Sequence, residues 1–206
     1  MNTLLTEADK TTVSEAIKHA ERRSSAELVT VIAAASDDYW FIPSLWASLL
    51  ALTVPAIILL IGTWMDAITL FSIQIGVFLV LVTVFRIPTL KHTLVPKTIK
   101  HLRASRTARE QFFLQGLQNT EGRTGILLFV SVAEHYVEVI ADKGINDVVP
   151  DGTWEKVVGD FISKVKAGQH TQGFIAAIED CGKVMQKHFP ADNDNPNELP
   201  NHLIEL

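Results

Sequence analysis

Forty-six consecutive residues, Trp40 to Phe85, contain no Lys or Arg and a single acidic side chain, Asp66. Nothing else in the chain limits its fold so strongly. As a helix rising about 1.5 Å per residue, segment 40–62 reaches roughly 34 Å, enough for a hydrocarbon core of about 30 Å. Segment 68–85 reaches roughly 27 Å by the same arithmetic, which spans with slight bilayer thinning or snorkelling of Arg86. Thr63, Trp64, Met65, Asp66 and Ala67 then form a turn that places a carboxylate and an indole at an interface. The pair reads as a transmembrane hairpin, 40–85. The competing reading is a buried α-hairpin in a soluble core, with which Pro43, Pro55 and Gln74 are compatible. Core helices rarely run through two such lengths without a polar face, and helices in lipid satisfy their own backbone groups. Gln74 fits an interhelical hydrogen bond, or else a group lining a pathway.

Charge on either side of the block sets an expected orientation. Residues 1–39 carry four basic and seven acidic side chains, whereas 86–123 carry eight basic and two acidic. The hairpin tip has no basic residue, so the positive-inside rule puts both flanks in the cytoplasm, with the chain integral to a cytoplasmic membrane. The opening Met-Asn-Thr-Leu-Leu-Thr-Glu lacks a basic region followed by a long apolar run, so no cleavable signal is expected. Cys181, the single cysteine, has no internal disulfide partner, and no His or Cys cluster has zinc-ligand spacing. With 206 residues, 48% of them hydrophobic, and a net charge of −5, the chain is neither disordered nor a low-complexity polymer.

Outside the block the pattern predicts α, β, then α, β, β, α, α. Thr6 caps a first helix ending near Arg22 or Arg23, with Val13, Ala16, Ile17 and Ala20 on its apolar stripe. Glu27–Ala34 reads as a buried strand. Pro96 opens a long polar helix to about Asn119, with Ile99, Leu102, Phe113 and Leu117 close to one face. Ile126–Val132 and Tyr136–Ala141 pair as an antiparallel hairpin around Ala133-Glu134-His135. Trp154, Val157, Val158, Phe161, Ile162 and Val165 mark one amphipathic helix, and Phe174, Ile175, Ile178, Cys181, Val184 and Met185 the last. From Pro190 the chain turns polar, with Leu199, Leu203, Ile204 and Leu206 as possible anchors. One strand before the hairpin is too little to fold alone. Residues 1–39 and 86–206 are therefore expected to form one discontinuous α/β domain, a small mixed sheet between helices, interrupted by the membrane insert.

Several of these residues also carry a family likeness. Gly125-Ile-Leu-Leu-Phe-Val-Ser-Val, Glu134, Val137-Glu-Val-Ile-Ala-Asp-Lys-Gly144-Ile, Trp154, Gly168, Gly173, His188-Phe189-Pro190 and Asn197-Glu198-Leu199-Pro200 resemble the TPM domain family. The family is named after a thylakoid-lumen protein, a photosystem-II repair protein and a nematode acetylcholine-receptor modulator. The chain is most similar to its bacterial membrane subgroup, in which a hairpin interrupts the domain. The resemblance implies a three-layer α/β/α sandwich. It further implies either a role in membrane-protein assembly, turnover or modulation, or a divalent-cation-dependent acid phosphatase. Where secreted members resemble Gly-Tyr-Gly, an acidic residue and then Pro-Asp, this chain has Asp142-Lys143-Gly144, then Asn146 and Asp147, and keeps Val149-Pro150-Asp151.

The residues themselves leave two readings of that loop. Asp142, Asp147 and Asp151 are three carboxylates in ten residues, an oxygen set suited to Ca²⁺ or Mg²⁺, which Glu134 and Glu138 could join from the strand hairpin. Alternatively Asp151 or Thr153 caps the Trp154 helix while Asp142 and Asp147 sit in solvated turns. Phosphoryl hydrolysis also needs a nucleophile or metal-bound water and a cationic clamp, and Lys143 is the one nearby cation in sequence. No catalytic residue is assigned, because neither a phosphate-binding loop nor a Gly-x-Ser-x-Gly elbow is present.

Arg86, Lys91, Lys97, Lys100, Arg103, Arg106 and Arg109 form a basic run directly after the apolar block. At spacing three, the last five wrap round a helix rather than share one face. Lipid-headgroup anchoring and simple topology determination both fit. Nucleic-acid binding does not, since the chain is acidic overall and no aromatic platform interleaves the arginines. Three functions follow from these features. The first is a non-enzymatic module that maintains other membrane proteins, with lipid and those proteins as partners; the second is the metal-dependent phosphatase; the third is a small channel subunit, for which Gln74 and a few hydroxyls offer little pathway.

Overall fold

The computed structural model describes residues 4–191, 199 and 202–206. Its chain divides into two compact units, one comprising 1–36 with 101–206 and the other 37–100.

The first unit begins with helix α1, Glu7–Glu21. Thr6 caps it reciprocally with Asp9: the Asp9 amide donates to Thr6 Oγ1, and the Asp9 carboxylate accepts from the Thr6 amide at 2.9 Å. Strand β1, Glu27–Ala33, is buried along its whole length. The later part of this unit holds α5 (Lys97–Leu114, whose first turn belongs to the second unit), β2 (Gly125–Ser131), β3 (Tyr136–Ala141), α6 (Lys143–Asn146), α7 (Thr153–Lys166), α8 (His170–His188) and β4 (Leu203–Glu205). The four strands make one mixed sheet in the order β3-β2-β1-β4. β1 runs parallel to β2 from Glu27 opposite Gly125, and parallel to β4 through Val31 opposite Ile204, while β2 and β3 are antiparallel.

Both central strands are buried along their whole length and mostly apolar because both of their faces are covered. On one face Leu28, Ile32, Ile126, Leu128 and Val130 meet Val13 and Ile17 of α1, Phe161 of α7, and Phe174 and Ile178 of α8. On the other, Val29, Val31, Leu127 and Phe129 meet Ala104, Ala108 and Phe112 of α5. α1 and α8 approach so closely that a Cβ on Gly182 would stand 2.9 Å from that of Ala20.

The second unit contains α2 (Phe41–Leu60), α3 (Ala67–Phe85) and α4 (Pro88–Leu94). Asp66 caps α3 by accepting from the Thr69 amide and hydroxyl at 3.0 and 2.7 Å. Ala47 and Ala51 are buried on α2, and Ser48 and Ala51 share a groove with Phe71, Gln74 and Phe78 of α3. Small residues at this spacing let two helix backbones come close. Tyr39, Ile42 and Val95 form a small core of this unit.

The structure departs from the sequence reading at four places. α5 stops at Leu114, because Gly116 takes a left-handed φ of +75° and starts two short 3₁₀ turns at 117–119 and 121–123. Its buried face is Ala104, Ala108, Gln111 and Phe112; Leu102 and Phe113 point to solvent. The acidic loop contains α6, and α7 is preceded by Gly152 with no side-chain cap, so neither Asp151 nor Thr153 caps it. The C-terminal residues supply β4. In the last family-like motif, Asn197, Glu198 and Pro200 lie outside the described residues.

Candidate functional site

The 142–151 segment is built around one ion pair. Asp142 is 6% exposed and caps α6; its Oδ1 accepts from the Lys143 amide at 2.7 Å. Arg123 grips both carboxylate oxygens, Nε to Oδ2 at 2.8 Å and a terminal nitrogen to Oδ1 at 2.7 Å. Burial pushes the Asp142 pKa up, yet the hydrogen bonds from Arg123 and the Lys143 amide outweigh it and hold the carboxyl below its ordinary value. The turn that carries Arg123 lies directly over α6. A Cβ on Gly144 would overlap the Gly122 carbonyl oxygen and stand 2.8 Å from that of Arg123, so only glycine fits there.

The other two carboxylates are placed differently. Asp147 follows the last turn of α6 and Asp151 lies in the turn before Gly152, both exposed. Asn146 between them is spent on structure: its amide donates to the Ala141 carbonyl at 2.7 Å and its oxygen accepts from Trp154 Nε1 at 3.1 Å. Among the described residues no group of three or more His, Cys, Asp or Glu side chains is arranged to hold a metal ion. Glu134 and Glu138 do not reach this loop. Glu134 sits in the turn at the opposite end of β3, roughly 20 Å away at about 3.4 Å per strand residue, and Glu138 instead accepts from Tyr136 Oη at 2.9 Å. Arg123, the cation that faces Asp142, carries no sequence signal beyond its charge.

A second polar cluster lies where β1 and β2 end, the edge at which parallel sheets place ligands. Glu134, 3% exposed, accepts from the Ser36 amide at 3.0 Å and from the Ser131 hydroxyl. Ser36 Oγ and Ser131 Oγ are 2.7 Å apart, and Thr107 Oγ1 donates to the Ser36 carbonyl at 3.3 Å. These contacts bind the chain leaving β1 to the β2–β3 turn. Nearby, Ser131, Tyr136, Phe161, Lys166 and His170 help line an apolar groove of about 330 Å³.

The basic run is divided between the two units. Arg86 follows α3, Lys91 is on α4, and Lys97, Lys100, Arg103, Arg106 and Arg109 are on α5. Of these, Arg86, Lys97, Arg106 and Arg109 are exposed. Arg106 Nε donates to Glu110 at 2.9 Å one turn on. Meanwhile α2 and α3 are each long and apolar enough to cross a membrane, with 22% and 0% of their most apolar stretches buried.

Comparison with known proteins agrees with the sheet and its surrounding helices. The NMR structure of the BA42 protein from the psychrophilic bacterium Bizionia argentinensis is similar, with a TM-score of 0.62 and 20% identity over 100% of this chain and 98% of that one. No curated protein matches the chain. The model of the TPM domain matches residues 82–184, from the last turn of α3 to near the end of α8, which is half of the sequence. It takes in α5, the strand hairpin, Glu134, the Arg123–Asp142 pair and Gly144, and on that match the chain belongs to the TPM domain family.

Proposed function

We propose that this protein is a non-enzymatic TPM module held at the cytoplasmic face of a bacterial inner membrane, where it binds and helps maintain other membrane proteins. In this reading 1–39 and 86–206 form one three-layer α/β/α domain, and 40–85 is a transmembrane hairpin with both flanks cytoplasmic. The supporting observation is the apolar surface of α2 and α3. Leu60, Trp64 and Ile68 are 86%, 92% and 79% exposed, as are many neighbouring side chains in part, and α3 has no buried residue. An apolar surface of that extent is costly in water and stable in lipid. The Arg123–Asp142 pair supports a non-catalytic role, since the one buried carboxylate of the acidic loop is already neutralised by a guanidinium.

Two measurements test this. Alkaline carbonate washing of membranes should leave the protein in the pellet; release of intact protein into the supernatant removes the hairpin and everything built on it. Crosslinking in intact membranes followed by mass spectrometry should capture a defined set of membrane proteins. Metal-dependent hydrolysis of a generic phosphomonoester, abolished by Asp142→Asn with Asp151→Asn, would replace the binding role with an enzymatic one.

A further inference from the structure

The solvent side of α5 is not an ordinary polar face. At about 100° per residue, Leu102, Arg106, Arg109 and Phe113 stand at i, i+4, i+7 and i+11 on one line, opposite the buried Ala104, Ala108, Gln111 and Phe112. Leu102 is 69% exposed, Phe113 62% and the neighbouring Leu114 74%. Large apolar groups and guanidinium groups therefore share the outer surface of one helix. Charge is segregated in the same place: from Arg86 to Arg109 there are seven basic and no acidic side chains, in a chain whose net charge is −5. Only the short α4 and a few linking residues separate this helix from the end of α3.

We propose that the outward face of α5 seats on an anionic phospholipid surface, Arg106 and Arg109 contacting headgroup phosphates while Leu102 and Phe113 enter the interface beside them. The proposal rests on reading 40–85 as a membrane hairpin, which keeps α5 within a short tether of a bilayer. Mixed apolar and cationic side chains on one helix face match an acidic interface, where phosphates meet acyl chains. Arginine suits the role because its planar fork binds phosphate oxygens in pairs. The Arg106–Glu110 bond takes one N–H and leaves the rest of that fork facing outward, and an exposed pair of this kind is weak enough to exchange for phosphate. A soluble protein partner would also cover an apolar face, but it would not account for the wholly basic stretch that leads into it.

The test uses the full chain with an environment-sensitive fluorophore on Phe113→Cys, and independently on Leu102→Cys, with Lys156→Cys on α7 as the reference position. The native Cys181 is buried and does not compete for label. Protein is reconstituted into vesicles of phosphatidylcholine alone or of phosphatidylcholine with phosphatidylglycerol. The labels at 113 and 102 should shift to the blue only in the anionic vesicles. High salt, or Arg106→Gln with Arg109→Gln, should reverse the shift, and the label at 156 should not respond. Equal emission in both vesicle types, an equal shift at 156, or the same shift produced by an oligonucleotide without vesicles would each overturn the proposal. Flotation with pure phosphatidylcholine vesicles separates the two ideas. Protein that floats with these vesicles but shows no blue shift in the anionic ones loses the α5 contact alone, whereas protein that does not float loses the hairpin.

Discussion

Asp142 is a buried carboxylate whose cost is met by one guanidinium and one amide, and that arrangement fixes how it responds to pH. Its folded pKa is depressed, so its contribution to stability is present above its unfolded value, about 3.9, and is lost as pH falls through the lower folded value. Asp142→Asn should therefore lower stability at neutral pH by on the order of 1–3 kcal/mol, and the variant and parent should converge in acid. Urea titrations followed by circular dichroism at both pH values check this; a constant gap across pH would show that Asp142 stabilises by shape rather than charge. Cys181 makes a complementary case. It is fully buried on α8, and desolvation pushes its thiol up to about 12. A thiol reagent should leave the native protein unmodified and titrate one group once denaturant is added; rapid native labelling would mean that α8 opens easily. Arg123 illustrates what a sequence conceals at this scale. Asp142 and Gly144 were visible as motif residues, but their partner lies 19 positions upstream, on a turn shaped by Gly122 at φ +71° and Arg123 at φ +57°. No local pattern announces such a meeting.

At the scale of elements, the parts legible in the sequence are those whose own periodicity matches their surroundings. α1, α7 and α8 carry one apolar stripe each and lie against the sheet on it, and β1 and β2 read as central strands because both their faces are covered. The face that α5 buries differs from the sequence expectation for a definite reason. Its buried side carries Ala104, Ala108 and Phe112 against Val31 and Phe129, while Leu102, Phe113 and Leu114 face out. Counting large hydrophobic residues selects the wrong face of such a helix. β4 leaves no sequence signal because three residues show no alternation; in the structure it pairs with β1, which is buried along its whole length. That strand covers the edge of β1, with Leu203 8% exposed and Glu205 held by Lys10 at 2.7 Å. Deleting residues 203–206 should cost about 1.5–3 kcal/mol for the lost leucine burial alone and expose a strand edge prone to self-association. A lowered Tm with concentration-dependent light scattering is the expected result, and an unchanged Tm would show that β4 is dispensable.

For the whole molecule, the decisive quantity is where charge is absent. In the proposed membrane reading, lipid surrounds the two exposed apolar helices, and the distribution of basic residues selects which side of the bilayer each end occupies. The turn between α2 and α3 carries Asp66 and Trp64 but no Lys or Arg, whereas Arg86 begins a stretch of seven basic groups. Moving that stretch across an energised membrane opposes both the potential and the insertion machinery's charge preference, while moving the tip does not. The silent Cys181 makes this testable with single introduced thiols. In intact cells whose outer membrane has been made permeable, Thr63→Cys should react with a membrane-impermeant maleimide, and Lys156→Cys should react only after the inner membrane is opened. Arg86→Glu with Lys91→Glu weakens the charge asymmetry next to α3 and should increase the fraction of molecules with the opposite pattern. Labelling of Lys156→Cys from outside in the parent would reverse the orientation. Equal labelling of both positions in intact cells would mean that the hairpin does not span the membrane.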